Sequence, residues 1–309
     1  MNTKDNPLVS VIIPTYKRSS NLTKTINSVL GQTYSPIEII IVDDNGEGTP
    51  FQLATQKNLQ NLIDSGKIKY IVHLVNKNGS AARNTGFIAS NGKYINFLDD
   101  DDEMLPEKIS LQVKCLENTK NESIGACYCN SQHIYVTKTG IKTAKTNIDK
   151  EGNLCLGYLK GNYLFNTSAI LFKRDIITNL NGFDESFIRH QDYELMTRFF
   201  CKYTIKCASL KPLLVYDTSK VRTYIHDAEK DFLLKMKFLG DLKPCLEQLK
   251  IYKEISHHFW FFTAQTAIYS RQYKYLYPSL KNSLSYGIFT VNEMKIFLKL
   301  IINRFIGRV

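Results

Sequence analysis

No run of about 18 apolar residues, the length a membrane-spanning helix needs, occurs in the chain, and Met1 to Pro7 is polar, without the apolar core of a signal peptide. A spanning segment and the secretory route are therefore not expected. Cysteine is sparse: seven residues, an odd number, with no CxxC pair and no paired zinc spacing. A reduced, cytoplasmic setting fits this best. Glycine-rich phosphate loops are missing too, since neither GxGxxG nor GxxxxGK[ST] follows a strand, which disfavours dinucleotide and P-loop chemistry. There is no internal repeat and no low-complexity linker.

What is present is enough apolar material for a large core: 309 residues, 43% of them hydrophobic, sufficient for one large domain and a smaller appendage. A formal net charge of +11 favours an anionic partner, such as nucleotide phosphates, a lipid headgroup surface or nucleic acid. No nucleic-acid motif accompanies it, so nucleic acid is not expected. Val9 to Ile13 is a β-branched run ended by Pro14, and Ser19, Ser20 or Asn21 can cap the helix that follows. In that helix Leu22, Ile26, Val29 and Leu30 recur at spacings of three and four and are expected to face a core. The alternation continues with strands over 37–42, 68–74 and 94–98 and helices over 51–63 and 81–89. It predicts a mostly parallel, doubly wound α/β sheet. Beyond 106 the rhythm loosens into a helix over 107–116 and β-like stretches near 126–135 and 168–172, where the sheet is expected to become mixed. From Asp227 the pattern is helical.

Open α/β sheets bind ligands beyond the carboxyl ends of their strands. Two of those ends are acidic here, Asp43-Asp44 and Asp99-Asp100-Asp101-Asp102. Adjacent carboxylates repel unless something positive neutralises them, and Mg²⁺ or Mn²⁺ suits hard oxygen ligands. The ordinary alternatives are a solvated acidic turn for the second run and a simple turn with Asn45-Gly46 for the first.

Three stretches, VSVIIPTYKRSSNLTKTINSVLGQTY, IEIIIVDDNGEGT and NGSAARNTGFIASNGKYINFLDDDD, in this order and spacing, resemble the family 2 glycosyltransferases of the GT-A fold. The likeness is close over the first third and weaker to about residue 200. It implies inverting transfer of a sugar from a nucleotide diphosphate donor, UDP on family grounds, to a hydroxyl of a glycan or lipid-linked glycan in bacterial surface-polysaccharide assembly. By position it implies that Pro14, Thr15 and Asp43 hold base and ribose, that Arg83 contacts the nucleotide, and that Asp99 and Asp100 lie on the nucleotide-sugar side of the Asp-x-Asp element. Asp101 then matches the direct metal ligand, His226 loosely matches a late metal or diphosphate histidine, and Asp192, after Gln191, matches the general base. Arg83 as a surface ion pair and Asp192 with Glu194 on a solvated helix face are the plain readings. A sugar nucleotidyltransferase and a non-catalytic glycan- or nucleotide-binding relative are the rival functions; VIIPTYKRSS lacks the glycines of the first, and retention of Asp99, Asp101 and Asp192 speaks against the second.

The expected organisation is a catalytic domain over 1–220, with a nucleotide half over 1–105 and an acceptor half over 106–220, and a helical region over 221–309. In the last segment Met294, Phe297, Leu298, Ile301, Ile302 and Phe305 form an apolar stripe, with Lys295, Lys299, Arg304 and Arg308 elsewhere. Such a helix fits an anionic membrane surface, and a peripheral place at the inner face of the cell membrane, or else packing on the catalytic domain or on a second subunit of a homo-oligomer.

Overall fold

The computed structural model describes residues 6–137, 140–163, 165–217 and 227–305. The chain divides into two compact units, Met1–Cys155 with Tyr163–Val221, and Leu156–Asn162 with Arg222–Val309. The first contains β1 (Val9–Thr15), α1 (Ser19–Leu30), β2 (Ile37–Asp43), α2 (Pro50–Asp64), β3 (Lys69–Val72), α3 (Gly79–Ile88), β4 (Tyr94–Phe97), β5 (Asp102–Met104), α4 (Lys108–Glu117), β6 (Ile124–Thr137) and β7 (Gly140–Lys145). After the short α5 (Cys155–Leu159) come β8 (Ile170–Lys173), α6 (Arg174–Asn179), α7 (Gln191–Lys202) and β9 (Thr204–Asp217).

The strands form one sheet in the order β3-β2-β1-β4-β8-β6-β9-β5, with β7 pairing on β6. The first four are mutually parallel; β8 is antiparallel to both its neighbours, so the sheet becomes mixed after the strand–helix repeat ends. β1, β2 and β4 are apolar almost throughout because both faces are covered: Val11, Ile12, Ile13, Ile40, Ile41, Ile95 and Phe97 have no exposed surface. α3 lies close on this sheet through Gly86, where a Cβ would stand 2.3 Å from Ile12 Cγ2. In α1, Leu22, Ile26 and Val29 are buried as the spacing predicts, but Leu30 is 43% exposed. It sits in the last turn, at the rim of a stripe that Thr25 completes instead.

β1 lies between β2, reached by one crossover, and β4, reached from the other direction, so the strand order reverses beside it. Such a reversal opens a crevice at the strand tips. Register puts Thr15 beside Asp43, and Leu98 N–H donates to the Ile12 carbonyl, which brings both acidic runs to this edge.

The second unit contains α8 (Ala228–Asp241), α9 (Lys243–Gln248), α10 (Tyr252–Tyr269), α11 (Leu276–Tyr286) and α12 (Val291–Phe305). α10 is its centre, with Ile255, Phe259, Trp260, Ala264 and Ile268 buried among its neighbours. Among the described residues no helix is long and apolar enough to cross a membrane.

Candidate active site

The acidic run after β4 is not a solvated turn. Asp102 N–H donates to the Asp99 carbonyl, closing a tight reversal, and Asp102 then enters β5 opposite Tyr216. Asp100 and Asp102 are buried as a result, while Asp99 and Asp101 keep about a third and a quarter of their side chains exposed. Burial pushes the Asp100 carboxyl up to about 6, although the Arg18 guanidinium and the Thr15 hydroxyl pull it partway back. Burial, then the charge of Asp99, holds Asp102 well above the usual carboxylate range, and its Oδ2 has no hydrogen-bond partner.

Positive charge reaches this run from two arginines. Arg18 Nη1 stands 2.5 Å from Asp101 Oδ2 and 3.1 Å from Asp100 Oδ1. It occupies the N-cap position of α1 without capping it, so none of Ser19, Ser20 and Asn21 holds the cap position expected for them. Thr15 Oγ1 donates to Asp100 Oδ2 at 2.8 Å. Arg83, from α3, donates through Nη2 to Asp99 Oδ1 at 2.6 Å and through Nη1 to Gln191 Oε1 at 2.8 Å. Gly79 leaves room for that bridge, since a Cβ there would stand 2.9 Å from Arg83 Nη1 and 3.0 Å from Gln191 Oε1. Arg83 is therefore no surface ion pair but a link from Asp99 to Gln191, which lies 108 positions from Arg83 itself.

The rest of the AARN helix does similar work. Asn84 exchanges hydrogen bonds with the Phe183 backbone, Asn78 Nδ2 donates to the Glu185 carbonyl and Ser80 Oγ to that of Phe187. One face of α3 thus holds the segment 183–187 that leads into α7. Glu194 is buried and ion-paired to Arg198, whose guanidinium also donates to the carbonyls of Leu180 and Gly182. α7 is accordingly not the solvated face that Asp192 and Glu194 alone would suggest. Asp192 lies in its first turn, where the helix dipole favours an anion.

These elements enclose a cavity of about 240 Å³ lined by Arg83, Asp99, Asn166, Thr167, Phe183, Ile188, Arg189, His190, Gln191 and Asp192. Arg83, Asp99 and Asp192 are thus brought together, and Thr15, Asp100 and Asp101 form a second cluster around Arg18. Pro14 lies in the same strand end, half-buried. Asp43 stands apart: it is fully buried, and its carboxylate accepts from Asn45 N, Asn45 Nδ2 and Tyr70 OH. His226 lies outside the described residues. Asn166 and Thr167, at the start of a 3₁₀ turn before β8, carry no periodic signal in the sequence, and His190, which the sequence alone suggests is a structural or surface histidine, lines the cavity from a left-handed position before α7.

The sequence pattern described as Glycosyl transferase family 2 matches residues 10–180, more than half of the chain. The chain belongs to glycosyltransferase family 2. The amylovoran biosynthesis glycosyltransferase AmsB of Erwinia amylovora is 31% identical over 196 residues, 61% of this chain and 62% of that protein. This chain therefore spans about three fifths of that relative's length. A GalNAc(5)-diNAcBac-PP-undecaprenol beta-1,3-glucosyltransferase of Campylobacter jejuni is 25% identical over 98% of this chain and 96% of its own length. Among solved structures, residues 1-349 of S. aureus TarS in complex with UDP-GlcNAc superpose with a TM-score of 0.57 at 13% identity, covering 91% of this family 2 chain and 93% of that TarS fragment. The mannosyltransferase PcManGT of Pyrobaculum calidifontis, in complex with GDP-Man and Mn²⁺, gives 0.55 at 14%, covering 96% and 80%. These likenesses bear on the fold, which is of the GT-A type.

Proposed function

We propose that this family 2 enzyme transfers a sugar from a nucleoside diphosphate donor, UDP being the favoured nucleotide, to a hydroxyl of a glycan or lipid-linked glycan, with inversion at the anomeric carbon. The observation that carries the reading is that Asp192 and Asp99, 93 positions apart in sequence, line one small cavity whose walls are tied together by Arg83. A carboxylate on one side of that cavity can take the acceptor proton while donor-side groups hold the departing diphosphate on the other. One base opposite one leaving group needs no covalent sugar intermediate. The relatives named for polysaccharide and undecaprenyl-linked substrates support the acceptor class, and the UDP-GlcNAc complex of TarS supports the donor class.

Roles follow from position. Thr15 and Pro14, at the strand reversal, receive the nucleoside. Asp43 acts there by fixing Asn45, whose Oδ1 accepts from Lys17 N–H in the next loop. Asp99 lies on the ribose side, Asp100 braces Thr15 and Arg18, and Arg83 supplies positive charge to the nucleotide. The donor set after β4 fits a hard divalent cation: it is all oxygen, it includes a buried carboxylate oxygen without a partner, and an arginine already bridges two of its members. Among the described residues no three His, Cys, Asp or Glu side chains converge as a preformed site, so phosphate oxygens of the donor would have to complete the shell of an ion held by one or two carboxylates. Asp101 is the residue that would hold Mn²⁺ or Mg²⁺. When bound, such an ion supplies Lewis-acid stabilisation to the leaving diphosphate.

The test is a panel of nucleotide sugars scored for nucleotide diphosphate release with Mn²⁺, with Mg²⁺ and with EDTA. Metal-dependent release from one UDP-sugar, stimulated by a glycan acceptor, is the expected result; release indifferent to EDTA would refute the metal role, and no release from any donor would refute the transferase reading.

A further inference from the structure

The helical unit carries an apolar face and an apolar cavity that transfer chemistry does not use. α12 packs on α10 through one side only, with Phe297 6.0 Å from the Phe261 ring, Leu300 buried, and Glu293 3.4 Å from His257. The stripe expected from the sequence is thereby split, since Phe297 turns inward while Val291, Met294, Leu298 and Ile302 remain between 46% and 63% exposed. At 3.6 residues per turn these four fall within an arc of roughly 80°, with the exposed Lys295 and Lys299 alongside. That inverts the usual surface helix, which turns its polar side outward. Beside α12, a cavity of about 500 Å³ is lined by Ile268, Arg271, Tyr273, Leu276, Ile301 and Arg304, apolar walls with two guanidinium groups.

We propose that this part of the helical unit binds the anionic phospholipid of a membrane surface. The α12 stripe enters the acyl boundary, Lys295 and Lys299 lie at headgroup level, and a lipid phosphate meets Arg271 and Arg304 at the cavity. Apolar insertion and basic attraction then add, as they do for interfacial helices. Charge selects this occupant over a second copy, because a two-fold interface through the same stripe would set Lys295 and Lys299 against their own counterparts. The inference extends the proposed function, whose lipid-linked acceptor would lie in such a surface, but it does not depend on transfer.

The test is co-sedimentation of the full chain with phosphatidylcholine vesicles, with and without phosphatidylglycerol. Binding is expected only with the anionic lipid, weakening as salt is raised. The double variant Leu298→Asp/Ile302→Asp should lower partitioning by about tenfold or more. Lys295→Gln and Lys299→Gln should each lower it by about fivefold. Short-chain phosphatidylglycerol should compete, whereas inorganic phosphate should not. All substituted side chains are exposed, so an unchanged melting temperature separates lost docking from lost fold. Equal binding to neutral vesicles, wild-type sedimentation of the double variant, or a dimer that Leu298→Asp dissolves would each overturn the proposal. Anionic-vesicle binding by a chain that releases no nucleotide would leave this inference standing while the transferase reading failed.

Discussion

The two acidic strand tips flank the end of β1, yet they are satisfied in different ways. At the end of β2, Asp43 and Asp44 are fully engaged without a guanidinium or ammonium group: Asn45 and Tyr70 for the first, and for the second His73, the Asn76 side chain and the backbone amides of Lys77 and Asn78, all within 2.9 Å. At the end of β4, the run from Asp99 to Asp102 is held by two arginines, Arg18 and Arg83, and leaves a buried oxygen without a partner. The first arrangement fixes loops, since removing it orphans donors that have nowhere else to turn. The second is exchangeable, because long cationic side chains can yield their place to another positive group.

Substitutions can break or sharpen that contrast. Asp101→Ala and Asp192→Asn should each lower nucleotide diphosphate release by at least about a hundredfold, with the melting temperature unchanged. Asp44→Ala should do the opposite kind of damage, costing about 3–5 kcal/mol in urea unfolding because it takes the partner from His73 Nδ1 and from the amides of Lys77 and Asn78. Equal stability losses at Asp44 and Asp101 would erase the distinction. The pH response of the metal-free protein comes next. The Asp100 carboxyl is pushed from its ordinary 3.8 up to about 6, so between these values the fold retains a proton that the unfolded chain has released. Stability should therefore fall as pH rises from about 4 to about 6, by on the order of 2 kcal/mol, and Asp100→Asn should flatten the slope. Smallest is Arg18→Gln. Freed of its ion pairs, Asp101 should take Mn²⁺ up to about fivefold more tightly in calorimetry without donor, and weaker binding would mean that Arg18 assists the ion rather than standing in its place.

The strand–helix repeat was legible because β1, β2 and β4 are β-branched or apolar almost throughout and α1 carries a clear apolar stripe, whereas α2 buries Gln52 and Thr55 beside Leu59 and leaves Phe51 and Leu53 exposed. Legibility stopped where neighbours decide the outcome. β9, fourteen residues containing Lys206, Lys211 and Pro212, follows no clean alternation, since it runs along β6 through repeated register shifts. β5 is hidden at the end of the aspartate run, because three residues become a strand only by pairing with β9. The acidic residues of the site could be picked out by type and place after a strand, but the bridge from Asp99 through Arg83 to Gln191 could not, because a contact across 108 positions leaves no local trace. In α12 the periodicity gave the apolar residues but not the side that packs, which Phe261 decides by meeting Phe297.

The central claim is that the carboxylates after β4, and Asp101 above all, hold a cation that grips a nucleoside diphosphate. Titrating UDP calorimetrically into wild type and Asp101→Ala, each with Mn²⁺ and with EDTA, tests it most directly. Binding to wild type that requires Mn²⁺ and disappears in Asp101→Ala is the predicted result; UDP binding of equal strength in all four titrations would contradict it.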